Sequence, residues 1–93
     1  MSETNMIQKP WFLYVIECQD NSLYTGVAVD VAARYAMHES GKGARYTRSH
    51  RPKQLLAVME YPDRSAALKA ECAFKKLKSA CKRIYLQENF KCL

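Results

Sequence analysis

Apolar positions along the chain fall into short runs that change period halfway through. Phe12 to Cys18 and Leu23 to Val29 are strand-length runs flanking Gln19-Asp20-Asn21-Ser22, a spacing that predicts a β-hairpin. Asp30 is a good N-cap, so a helix is expected from Val31, with Gly41 as its stop. Residues 41–53, GKGARYTRSHRPK, read as a loop. Gln54 to Tyr61 is a third strand-length run, closed by Pro62-Asp63. Beyond it Ala66, Ala67, Leu68, Ala70, Ala73, Phe74 and Leu77 recur at helical spacing. That helix is capped by Asp63 or Ser65 and should run to about Lys78. A shorter terminal helix is expected from Cys81 to Glu88. The order strand, strand, helix, strand, helix, helix predicts an α+β fold: a small three-stranded antiparallel sheet flanked by helices. Residues 1–10 read as a loose tail ended by Pro10, and residues 11–90 as one domain.

Ninety-three residues leave room for one core. No apolar run reaches the length of a membrane span, and the polar start MSETNMIQKP lacks the apolar stretch of an export signal, so a cytoplasmic location is expected. The four cysteines, Cys18, Cys72, Cys81 and Cys92, are too widely spaced for a zinc knuckle and are expected as thiols, mostly packed like small hydrophobes.

Charge changes the picture more. The formal net charge is +6, and the excess is concentrated. Lys42, Arg45, Arg48, Arg51 and Lys53 follow one another with no acid among them and with Tyr46 and His50 interleaved. Lys75, Lys76, Lys78, Lys82 and Arg83 form a second block. Such surfaces suit polyanions, nucleic acid first, although lysines on a helix also serve solubility. The first block suits contact with phosphates and unstacked bases.

Tyr14 and Tyr24 stand on the two hairpin strands, and Arg34 and His38 share a face of the next helix. Taken singly, a strand tyrosine ordinarily packs and a helical histidine ordinarily lies at the surface. Together they look like a site. Tyr35 and Tyr61 receive only the packing reading. Glu71, read from its helix alone, is a surface partner for Lys75 one turn on.

These residues resemble the GIY-YIG nuclease superfamily, most closely its short stand-alone bacterial members. Phe12-Leu13-Tyr14 stands for the first motif and Tyr24-Thr25-Gly26 for the second. Arg34 matches the helical arginine, His38 a following histidine, and Glu71 the metal-binding glutamate of the later helix. Gly41 to Arg51 is similar to a loop of the branched-DNA-cutting relatives. The resemblance covers residues 11–78 and implies a divalent-metal-dependent endonuclease acting on DNA phosphodiester bonds, with a place in repair or recombination. Its catalytic set would be Tyr14, Tyr24, Arg34, His38 and Glu71, with one Mg2+ or Mn2+ on Glu71. Lys42, Arg45, Tyr46, Arg48, Arg51, Lys53 and Lys75 would meet the nucleic acid. Arg34 would neutralise charge on the phosphorane-like transition state. The water's proton would go to Tyr24 or to His38; the residues leave both open. They equally leave open DNA or RNA as substrate. Two other readings stand beside the enzyme: a nucleic-acid-binding module without catalysis, and a catalytic subunit that needs a partner protein.

Overall fold

The computed structural model describes residues 9–89; the expected N-terminal tail lies almost entirely outside them. The hairpin forms as expected. Strand β1 (Trp11–Cys18) pairs antiparallel with β2 (Leu23–Ala28). Asp20 closes the four-residue turn by accepting from the Ser22 amide at 3.1 Å and the Ser22 hydroxyl at 2.6 Å. Asn21 takes the left-handed conformation, φ 70°, which asparagine tolerates better than most side chains. Helix α1 (Val31–Glu39) begins on Asp30, whose carboxylate accepts from the Ala33 amide at 3.0 Å. Its C-cap is Ser40, and Gly41 follows with φ 83°.

The basic segment is not all loop. A five-residue helix, α2 (Arg45–Ser49), interrupts it. Strand β3 (Pro52–Tyr61) then starts two residues earlier than expected, and helix α3 (Arg64–Lys75) is capped by Asp63 rather than Ser65, through the Ala66 amide at 2.8 Å. Helix α3 ends three residues short of the expected boundary, and α4 (Ser79–Asn89) is longer than expected at its start. The order is therefore β-β-α-α-β-α-α, with sheet order β2-β1-β3, all antiparallel. The pairing of β1 with β3 shifts register twice, after Val15 and after Glu17.

Because β1 is central, both its faces are buried, and alternation sends its side chains to two different cores. Leu13 and Val15 join Ala57, Phe74 and Leu86 on the face covered by α3 and α4. Tyr14, Ile16 and Cys18 face the other way, with Tyr24, Val31, Tyr35 and Leu55 packed beside them. Tyr35 and Tyr61 both pack, as their positions suggested. The cysteines divide: Cys18 is buried, whereas Cys72 and Cys81 are exposed, contrary to the expectation of packed thiols. Both sit on solvent-facing positions of helices whose apolar stripe is supplied by other residues. Cys92 lies outside the described residues.

A polar clamp ties α4 to the hairpin. Glu17, 8% exposed, accepts from Gln54 Nε2 at 2.7 Å and from Arg83 at 3.0 Å, while Arg83 also donates to the Asn21 carbonyl at 2.6 Å. Lys53 Nζ lies 4.0 Å from the same carboxylate. Arg83 is thus engaged within the fold, not free for a polyanion. The Gln54 and Arg83 hydrogen bonds hold the Glu17 carboxyl below its ordinary value of 4.5, against the opposing effect of burial. A depressed carboxylate stabilises the fold above its unfolded value and loses that contribution as pH falls through the folded one. Glu17→Gln should therefore be less stable than wild type near neutrality. The gap should narrow as pH falls below 4.5, as followed by denaturant unfolding across that range.

Candidate functional site

Tyr14 points from the central strand beneath its partner on β2, which is Gly26. A Cβ at position 26 would lie 2.5 Å from Tyr14 Oη and 2.7 Å from Cζ. The glycine of the Tyr24-Thr25-Gly26 motif is therefore the space through which Tyr14 reaches out. Its hydroxyl ends 3.0 Å from His38 Nε2 on α1. His38 Nδ1 lies 2.7 Å from Thr47 Oγ1 on α2, and that hydroxyl donates to the Ala44 carbonyl at 2.9 Å. Tyr14, His38 and Thr47 are 1%, 2% and 1% exposed. Three buried polar groups are satisfied by one another along a single chain of hydrogen bonds. Thr47 stands in the Gly41 to Arg51 segment that carried the resemblance, but nothing in the sequence marked it as a partner of His38.

A second layer lies nearer the surface. Tyr24 is half-buried, its ring centroid 5.0 Å from that of His38 and 6.4 Å from that of Tyr14. Its ring stacks on Tyr46 at 5.8 Å, and Tyr46 stacks on His50 at 4.2 Å. His50 in turn meets the hairpin turn, its Nδ1 lying 2.5 Å from Asp20. The Ser22 and His50 hydrogen bonds hold the Asp20 carboxyl well below the usual carboxylate range. The Gln19 amide donates to the Arg51 carbonyl at 2.7 Å. The basic segment is thus fastened at both ends of α2 to the hairpin and to α1.

Electrostatics joins the remaining members. Burial, then the neighbouring Tyr24, pushes the Tyr14 phenol well above its ordinary value of 10.0; Arg34 opposes the shift and Glu71 adds to it. Burial, and secondarily the Arg34 charge, lowers His38 below 6.5. Both members of the hydrogen-bonded pair are held neutral. Arg34 is exposed, and Glu71 keeps 17% of its side chain accessible while pairing with Lys75 at 3.2 Å. The surface pair expected from helix spacing is present, and the same carboxylate reaches Tyr14 electrostatically.

The structure therefore gathers Tyr14, Tyr24 and His38 in contact, with Arg34 and Glu71 within electrostatic reach of Tyr14. It divides them by depth: Tyr14 and His38 inside, Tyr24, Arg34 and Glu71 accessible. Lys42, Arg45, Arg48, Arg51 and Lys53 are exposed. Lys53 lies beside Glu17 and Lys75 beside Glu71, so both are shared with carboxylates. Tyr46 is 37% exposed, but its ring already rests on His50 and near Tyr24.

Residues 10–85 match the family model described as the GIY-YIG catalytic domain. A UPF0213 protein of Cupriavidus pinatubonensis is 49% identical over 76 residues, covering 82% of this chain and 84% of that protein. A UPF0213 protein of Streptococcus sanguinis is 48% identical over 77 residues, covering 83% and 88%. Among solved structures, the solution NMR structure of an E. faecalis protein superposes with a TM-score of 0.62 at 40% identity, covering 87% of this chain and 86% of that one. The solution NMR structure of a UPF0213 protein from Bacillus halodurans gives 0.57 at 36% identity, covering 86% and 85%.

Gly26→Ala should displace Tyr14 from His38 and lower stability by about 1–3 kcal/mol, the usual cost of overpacking. Denaturant unfolding measures the loss, and NMR of the Tyr14 ring reports the displacement. Unchanged stability would mean that the strand edge yields without cost.

Proposed function

Starting from the fact that this chain belongs to the family of GIY-YIG catalytic domains, which implies nuclease-type function, we propose that it is a divalent-metal-dependent endonuclease that hydrolyses phosphodiester bonds in DNA. The observation that carries the proposal is the contact of a half-buried Tyr24 with the buried Tyr14–His38 pair, with Arg34 one turn before His38 on α1 and both Arg34 and Glu71 acting electrostatically on Tyr14.

No cluster of three or more His, Cys, Asp or Glu able to hold a metal exists among the described residues. A lone hard carboxylate such as Glu71 fits Mg2+ or Mn2+, which keep most of their waters and bind through one or two carboxylates plus phosphate. Glu71 would hold the ion, with Lys75 yielding its place on Oε2. When bound, such an ion supplies polarisation of the scissile phosphate and stabilisation of the leaving oxygen.

Arg34 neutralises the charge that grows on the phosphoryl oxygens. Direct proton transfer from water to His38 conflicts with its burial and with the occupation of both ring nitrogens. Tyr24, half-buried and with a hydroxyl that makes no hydrogen bond among the described residues, is the group that meets the attacking water. The exposed cations Lys42, Arg45, Arg48 and Arg51 receive the nucleic-acid backbone. The resemblance of their segment to the branched-DNA-cutting relatives points to a structured DNA substrate and to a role in repair or recombination.

The test is cleavage of labelled single-stranded, duplex and branched DNA, and of RNA, with Mg2+ or Mn2+. Glu71→Gln should abolish metal-dependent cleavage and leave DNA affinity within about twofold, because it removes the metal ligand and not the basic surface. Equal cleavage by wild type and variant would overturn the metal role. Arg48→Glu with Arg51→Glu should weaken binding to every sequence and lower the slope of log K against log salt by about 1–2. Binding without cleavage in either metal would favour a binding module, or a catalytic subunit that acts with a partner.

A further inference from the structure

Thr47 lies nine residues from His38, in the Gly41 to Arg51 loop and outside the expected catalytic set, yet it ends the buried hydrogen-bond chain. The direction of that chain follows from its last member. The Ala44 carbonyl has no proton to give, so the Thr47 hydroxyl must donate to it. Its single proton spent, Thr47 Oγ1 has only lone pairs for His38, and Nδ1 at 2.7 Å must carry the hydrogen. A neutral imidazole with hydrogen on Nδ1 has a lone pair on Nε2, and Tyr14 must donate to it. We infer that Thr47 is a positioning residue that fixes His38 in the Nδ1–H tautomer and thereby sets the polarity of the Tyr14 hydroxyl.

The isolated histidine side chain favours the opposite tautomer, so the preference needs a cause, and α2 supplies it. The segment is closed tightly over the ring: a Cβ on Gly43 would fall on the imidazole itself. With Thr47 in place, the Tyr14 proton points inward to His38 and its oxygen keeps lone pairs for its other neighbours. Were Nε2 protonated instead, His38 would donate to Tyr14, and Tyr14 would turn its own proton toward those neighbours. The same residues would then offer the site a donor where it now has an acceptor. The functional consequence rests on the nuclease reading above; the tautomer does not.

The experiment uses the full chain labelled with 15N and long-range 1H–15N correlation of the His38 ring, which distinguishes a protonated from an unprotonated nitrogen. Wild type should show Nδ1–H. Thr47→Val, which keeps the shape and removes the hydroxyl, should shift the ring toward Nε2–H, and Thr47→Ser should restore Nδ1–H. Tyr14→Phe should retain Nδ1–H, because the tautomer is set from the Thr47 side. Nε2–H in wild type, an unshifted ring in Thr47→Val, or a shifted one in Tyr14→Phe would each overturn the inference. The last of these decides the matter even where Thr47→Val fails to fold. In the cleavage assay Thr47→Val should lower kcat on the order of tenfold or more with KM little changed, and Thr47→Ser should recover it. A shifted tautomer with full kcat would overturn the functional consequence. Absence of cleavage by wild type would strike the nuclease reading while the NMR result still stood.

Discussion

Everything on one face of the sheet follows from placing a tyrosine hydroxyl in the interior. A buried phenol without a partner costs on the order of 1–3 kcal/mol, so Tyr14 requires His38, and His38, with two polar nitrogens, requires Thr47. Each requirement shapes backbone elsewhere. Gly26 is bare because Tyr14 passes under it, and Gly43 is bare because the His38 ring lies against it. Helix α1 must run as far as His38, and the segment after it must fold back far enough to deliver Thr47. The five-residue α2 is too short to be stable by its own hydrogen bonds. It persists because Thr47 anchors it to α1 and because Tyr46 and His50 stack back toward the hairpin.

The opposite face solves a different problem. There Glu17 gathers Gln54, Arg83 and Lys53 around a mostly buried carboxylate and links β1, β3 and α4. Helix α3 packs on the hydrophobic core of the same face through Ala70 and Phe74, with Leu77 just beyond its end. The basic excess is consequently of two kinds. Arg83, Lys53 and Lys75 offset acids within the fold, whereas Lys42, Arg45, Arg48 and Arg51 stand exposed around α2. Two of the exposed group, Arg45 and Arg48, are carried by the element that completes the buried chain.

What was legible in the sequence was what local chemistry decides. Asp30 announces one helix start and Asp63 or Ser65 another, because a cap acts within three residues, and Gly41 announces a stop because its φ of 83° suits glycine. The hairpin was legible from two apolar runs and four turn formers. Tyr14, Tyr24, Arg34, His38 and Glu71 were selected by order and resemblance, and the topology brings Tyr14, Tyr24 and His38 into contact. Helix α2 was not legible, because tertiary contacts make it and five residues carry no periodicity. Thr47 was hidden for the same reason: its partner is a side chain on another helix. Arg83 was counted with the surface lysines because a charge run does not reveal which member faces a buried Glu17.

The depth at which each group lies has an electrostatic consequence. Burial raises the Tyr14 phenol and lowers the His38 imidazole, so both shifts favour the uncharged form of the pair. A charged inner layer would add its own field to that of the accessible groups above it. A neutral one leaves the field to Arg34 and Glu71, the accessible members of opposite sign. The inner layer can then act through the direction of its hydrogen bonds alone. That direction is held without any ionised group, by a threonine hydroxyl and one backbone carbonyl.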